Sequence, residues 1–181
     1  MTALKPTDRY STASVALHWL MLVLMIAVYS AIELREFYPR GSAPREAMKT
    51  WHFMLGLSVF VVVWLRILVR LVTHSPAPLA EPAWRSMTAK LTHLALYGLM
   101  IAMPLAGWTI LSAEGDAVPF FGLTLPPLTA PNEALAEQVE GWHELGGTIG
   151  YWLIGLHAAA SLFHHYVLRD GLLFRMLPAR G

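Results

Sequence analysis

Apolar stretches at about 13–32, 51–72, 87–111 and 142–168 alternate with short connectors rich in charge, proline and glycine. Each stretch supplies the ~20 mostly apolar residues that a helix needs to cross the hydrocarbon core of a bilayer. The pattern predicts an all-α integral membrane four-helix bundle, a single domain over 1–181 with both termini on one side. The first stretch carries no Ala-x-Ala type cleavage site at a suitable place, so it reads as a retained helix. Met103-Pro104 and Gly107 predict a bend in the third helix. The connector His74-Ser75-Pro76-Ala77-Pro78 is broken by proline, and the longest loop, 112–141, has an apolar centre from Val118 to Pro127. That centre holds too much proline for a fifth span and is expected to rest on the mouth of the bundle.

Charge orients the spans. Lys5, Arg9, Arg66, Arg70, Arg85, Lys90, Arg169, Arg175 and Arg180 fall on one side with only Asp8, Glu81 and Asp170, against four basic and nine acidic residues opposite. Basic residues gather in cytoplasmic loops, so both termini are expected in the cytoplasm of a multi-pass protein of the bacterial inner membrane. Composition agrees: 56% of residues are hydrophobic, 14% are charged, and mean hydropathy is +0.49. The absence of cysteine excludes disulfides, iron–sulfur clusters and thiolate-ligated metals, leaving His, Met and carboxylates as ligands. No basic cluster suggests nucleic acid, and the lipid bilayer is the one partner that composition specifies.

Histidine inside a membrane helix is costly unless it faces a partner, which makes each such residue a candidate for function. His143 and His157 lie fourteen residues apart on the fourth stretch, so they point within about 40° of each other at heights roughly 21 Å apart. His18 lies five residues into the first stretch and His157 eleven from Leu168, or about 8 and about 16 Å deep, a mismatch that tilt and uncertain helix ends absorb. His52 and His143 open the second and fourth stretches from the opposite side. Two pairs at two levels are expected, His18 with His157 and His52 with His143. Each could hold one haem iron axially. Gly56, Gly146, Gly147 and Gly150, with Ala160 and Ser161, would leave room for a flat macrocycle, although small residues are also common in membrane helix packing. His93 reads equally as an interfacial residue, His74 as a solvated one, and His164 keeps the direction of His157 while His165 points about 80° away.

The segments Ala16-Leu17-His18-Trp19-Leu20, Trp142-His143-Glu144, Gly155-Leu156-His157-Ala158-Ala159-Ala160, His164-His165-Tyr166 and Phe121-Gly122-Leu123-Thr124-Leu125-Pro126 resemble the bacterial cytochrome b561 family, as does the closing Arg175-Met176-Leu177-Pro178. The likeness covers nearly the whole chain. It implies two haem b, one ligated by His18 and His157 and the other by His52 and His143. It also implies an oxidoreductase that takes electrons from superoxide at the outer face and passes them to ubiquinone. On that expectation Arg35, Arg40, Arg45 and Lys49 are candidates for steering the anion, against local neutralisation by Glu33, Glu36 and Glu46. His164 is the first candidate for the quinone, with His165, His93 and Arg70 behind it. Arg66 and Arg70 suit either haem propionates or the positive-inside end of the second helix. Three other readings compete: a cytochrome b subunit relaying electrons between quinol and a partner dehydrogenase, a zinc-dependent hydrolase built around His143-Glu144, and a scaffold without cofactor. The zinc reading lacks a His-Glu-x-x-His pattern. No protein partner is specified by the sequence.

Overall fold

The computed structural model describes residues 9–77 and 81–177. Four helices dominate it: α1 (Thr12–Leu34), α2 (Ala43–Val72), α3 (Ala83–Glu114) and α4 (Glu133–Phe163). A small antiparallel hairpin of β1 (Val118–Phe120) and β2 (Leu123–Leu125) sits between α3 and α4. The all-α membrane bundle expected from the hydropathy pattern is the observed architecture. Three helices, α1 to α3, are long and apolar enough to cross a membrane. The fourth has the length, but Gly146, Gly147, Gly150, Gly155, His143 and His157 dilute its apolar residues.

α1 pairs with α2 and α3 with α4, and α2 packs on α3 to join the two hairpins. A core of Met21, Val59, Val62, Val63 and Met100 holds α1, α2 and α3 together. The outward faces are apolar as well, with Leu71 77% and Trp152 78% exposed, which suits contact with lipid. Both ends of the described chain meet at one end of the bundle, where the Tyr10 amide donates to the Arg175 carbonyl at 3.3 Å. There Trp19 Nε1 donates to the Met176 carbonyl at 2.8 Å, and Arg175 Nη1 to the Ala77 carbonyl at 2.7 Å. This terminal end contains Arg66, Arg70, Arg169 and Arg175; Lys5, Asp8 and Arg180 of the charge count lie outside the described residues.

Helix α3 begins about one turn earlier than hydropathy predicts, at Ala83, and two helices begin more than two turns earlier. α2 starts at Ala43 with Pro44 in its first turn, and α4 starts at Glu133 behind Asn132, whose side chain accepts from the Leu135 amide at 3.1 Å. Those first turns are polar and project from the apolar zone. At its other end α4 stops at Phe163 and continues as one wider π turn, His164–Leu168. Helix α3 runs through Pro104 to a left-handed cap at Gly115, φ 81°.

The proline-rich loop caps the bundle at the end opposite the termini, as its composition predicts, and does so as the β-hairpin. Val118 is buried against Leu57 and Leu111, with Phe53, Trp108, Phe120 and Leu125 around it. Trp108 Nε1 donates to the Pro126 carbonyl at 3.0 Å, and the Leu128 amide donates to Ser112 Oγ at 3.0 Å. The strands turn through Phe121 (φ 47°) and Gly122 (φ 86°), two positive-φ residues that match the twist of a tight hairpin.

Candidate functional site

The four helices carry five histidines, and four of them form the two expected pairs. At the terminal end the rings of His18 on α1 and His157 on α4 have centroids 6.2 Å apart. At the hairpin end the rings of His52 on α2 and His143 on α4 are 6.0 Å apart. Helix ends explain the match in depth. His18 lies six residues after Thr12 and His157 six before Phe163, so each is about 9 Å from its helix end. The mismatch in the sequence count arises from the π turn His164–Leu168, which the hydropathy pattern does not separate from α4. His52 and His143 do not open their helices: they lie nine and ten residues in, because α2 and α4 begin at Ala43 and Glu133. Their two depths agree with each other.

The hydrogen bonds of the hairpin-end pair fix which ring nitrogen is free. His52 Nδ1 lies 3.0 Å from the Val28 carbonyl, and a carbonyl only accepts, so Nδ1 carries the proton and Nε2 keeps its lone pair. His143 Nδ1 is buried and is turned toward the Met103 carbonyl without closing a bond of ordinary geometry. A small apolar cavity beside His52 is bounded by Phe53, Gly56, Pro104, Trp108 and Val118.

The glycines divide by function. A Cβ at Gly56 or Gly147 would meet nothing within 4 Å, which leaves space beside His52 and His143. Gly146 and Gly150 serve packing: a Cβ at Gly146 would meet Met103 Sδ at 2.5 Å, and one at Gly150 would collide with the Tyr29 hydroxyl and Leu99. Tyr29 itself donates to the Gly147 carbonyl at 3.0 Å, joining α1 to α4. Beside it, the Tyr151 hydroxyl donates to Glu33 Oε1 at 2.8 Å, a second link between those helices that sequence reasoning did not single out.

The terminal-end pair has further neighbours. The ring of His93 on α3 lies 5.4 Å from that of His157, while the residue as a whole stays exposed. Arg66 on α2 lies within electrostatic reach of His18, His93 and His157, and its Nε and Nη1 are buried without a hydrogen-bond partner among the described residues. His164, in the π turn, is held by Asp170 through Nδ1 and Oδ2 at 2.5 Å, and Asp170 Oδ1 accepts from the Leu172 amide at 3.0 Å. His165 packs instead on Phe174, ring centroids 5.2 Å apart. Arg70 is exposed.

The four loop cations do not form one free patch. Arg35 and Arg45 both pair with Glu36 at 2.9 Å, and Arg45 also donates to the carbonyls of Arg35 and Tyr38, which makes it a staple of the α1–α2 connection. Lys49 stands 3.8 Å from Glu46. Arg40 is exposed and makes no ion pair among the described residues.

Among the described residues no group of three or more His, Cys, Asp or Glu is arranged to hold a metal ion. What the bundle does bring together is two pairs of facing imidazoles, one at each end.

A sequence model described as prokaryotic cytochrome b561 matches residues 9–179. The chain is 34% identical to cytochrome b561 homolog 1 of Escherichia coli (strain K12), over 96% of this chain and 99% of that one. It is 39% identical to a probable superoxide oxidase, CybB, of Yersinia pestis, over 95% and 97%. Similarity extends to cytochrome b562 of Cereibacter sphaeroides, 28% identical over 94% and 96%.

Proposed function

The chain belongs to the prokaryotic cytochrome b561 family, and on that premise we propose that it is a di-haem superoxide:ubiquinone oxidoreductase of the inner membrane. Membership implies a membrane cytochrome that binds haem b. The number of haems, their ligands and the two substrates are our reading.

The observation that carries it is the spacing of the two pairs. Two imidazoles that shared one metal ion through bonds of about 2 Å would stand with their ring centres about 6 Å apart. The pairs stand at 6.2 and 6.0 Å. The bond from His52 Nδ1 to the Val28 carbonyl also fits a ligand, because a protonated Nδ1 orients the ring and leaves Nε2 for the iron. His18 with His157 and His52 with His143 would therefore hold the two groups. Haem b bound at each pair supplies a one-electron relay between the ends of the bundle.

The protein's own residues do the rest. At the hairpin end, which positive-inside makes the outer face, Arg40 offers a free cation that attracts superoxide, while Arg35, Arg45 and Lys49 shape the loop and contribute a weaker field. At the terminal end His164, oriented by Asp170, presents its other ring nitrogen as a hydrogen-bond partner for a quinone carbonyl. Two superoxide anions give up one electron each and leave as O₂, and one ubiquinone takes both electrons and two protons to become quinol. The superoxide substrate is supported by the relative described as a probable superoxide oxidase.

Purified protein in detergent tests the reading. Two haem b per chain, with superoxide-driven quinol formation, is the expected result. Two haems without reaction with superoxide would leave a membrane cytochrome with another electron donor, and a colourless, fully folded protein would sink the ligand assignment.

A further inference from the structure

Arg66 is the one cation on the helices whose buried nitrogens the described polypeptide leaves without acceptors. It lies six residues before the end of α2 at Val72, and thus about 9 Å from the helix end. His18 and His157 stand the same six residues from theirs. The ends of α1 and α2 lie at one level, since Ser11 Oγ at the start of α1 donates to Thr73 Oγ1 at the end of α2 at 3.4 Å, and the ring of His157 reaches that of His18 at 6.2 Å. Nε and Nη1 of Arg66 are buried and have no hydrogen-bond partner. Burying a guanidinium without an acceptor is costly, so an acceptor from outside the described polypeptide suits this position, and an anion suits it best. Asp170, an acid at the same end, is taken by His164 and the Leu172 amide. No carboxylate pairs with Arg66 among the described residues.

We propose that Arg66 is the counter-ion of a haem b propionate at the His18–His157 pair, and that it holds that haem at a higher midpoint potential than the one at the His52–His143 pair. This rests on the di-haem reading above. Arginine rather than lysine suits the role, because its planar fork offers two parallel donors to a carboxylate in a desolvated site. Arg70, one turn on and exposed, is not the counter-ion. The effect on potential follows from charge: reduction adds one negative charge to the iron centre, and a fixed cation nearby favours that state. At the hairpin-end pair Arg35, within electrostatic reach of His52, is neutralised by Glu36 at 2.9 Å, and among the described residues no guanidinium there has a buried nitrogen without a partner. The asymmetry makes electron flow from the hairpin end to the terminal end downhill.

Optical redox titration of the purified holoprotein tests this, on wild type, Arg66→Lys, Arg66→Gln and Arg66→Leu, with haem per chain measured on each. In Gln and Leu one of the two b-type transitions falls in potential and the other stays, and Lys keeps most of the wild-type value. His52→Ala, which retains only the terminal-end haem, reproduces the fall when combined with Arg66→Gln. Should Leu fail to load haem, Gln, which keeps a donor and removes only the charge, carries the test. Unchanged transitions in a fully loaded Gln variant would overturn the proposal. A wild-type potential that drops to the Gln value on removal of bound lipid would also overturn it and make a lipid phosphate the partner. A wild type without two haems would instead defeat the di-haem reading.

Discussion

His52 Nδ1 donates to the backbone carbonyl of Val28 at 3.0 Å, so α1, which supplies no histidine to the hairpin-end pair, sets the orientation of a ring on α2. The same ring faces His143 across the bundle. Three helices thus converge on one level. His52→Ala and His143→Ala are each expected to lower haem content from two to one per chain and to remove the same spectral component. His18→Ala and His157→Ala should remove the other. A haem assay with low-temperature spectra checks the pairing, and a variant from one pair that removed the other pair's component would contradict it.

The close contact at Gly150 yields a stability prediction that does not depend on haem. A Cβ there meets the Tyr29 hydroxyl first and Leu99 Cδ1 at 3.2 Å. Gly150→Ala should destabilise the bundle by about 1–3 kcal/mol, the usual cost of overpacking. Removing the hydroxyl removes the first obstacle, although it also removes the 3.0 Å bond to the Gly147 carbonyl. Gly150→Ala combined with Tyr29→Phe should therefore cost less than the two single losses added. Thermal unfolding in one detergent compares the four proteins, and strict additivity would mean that the helices part freely at this point.

The loop charges separate steering from structure. Arg40→Glu reverses a cation with no partner and should lower the second-order rate with superoxide by roughly two- to tenfold, most at low salt. Arg45→Ala removes a side chain only 13% exposed that bonds Glu36 and two carbonyls. It should reduce stability more than it changes the salt dependence. Stopped-flow rates across ionic strength distinguish the two effects, and a rate insensitive to salt in wild type would exclude steering altogether.

Much of this arrangement is legible in the sequence because hydropathy and the 3.6-residue repeat act on long segments. Residue counts alone pair His18 with His157 and His52 with His143. The failures have physical causes. Residues 43–50 and 133–141 are helical but polar, so a criterion based on lipid solubility does not see them, whereas Pro44 and the Asn132 cap mark their starts. The π turn at His164–Leu168 inserts wider turns that a count of 1.5 Å per residue cannot register. Phe121-Gly122 between short β-prone segments was a readable hairpin signal, hidden by the proline around it. Asp170 and Tyr29 gain their roles only from contacts across the fold. Nothing in their local sequence distinguishes them.

The partnership of His164 and Asp170 gives the last prediction. Asp170 is fixed on both carboxylate oxygens, one by His164 Nδ1 at 2.5 Å and one by the Leu172 amide at 3.0 Å. The side chains remain 17% and 25% exposed, open enough for exchange of a proton with water. A His held in this way points its Nε2 in one direction and can pass a proton through the ring. If a quinone carbonyl meets that nitrogen, His164→Leu should reduce quinol formation by at least about tenfold while both haems remain and still accept electrons from superoxide. Asp170→Asn keeps a hydrogen-bonding group but loses the charge, and should fall between wild type and His164→Leu. Stopped-flow reduction of the haems measured beside steady-state quinol formation separates the two half-reactions. Loss of both together would place His164 among residues that hold the fold, and loss of neither would move the quinone elsewhere, with His93, 5.4 Å from His157, the next residue to test.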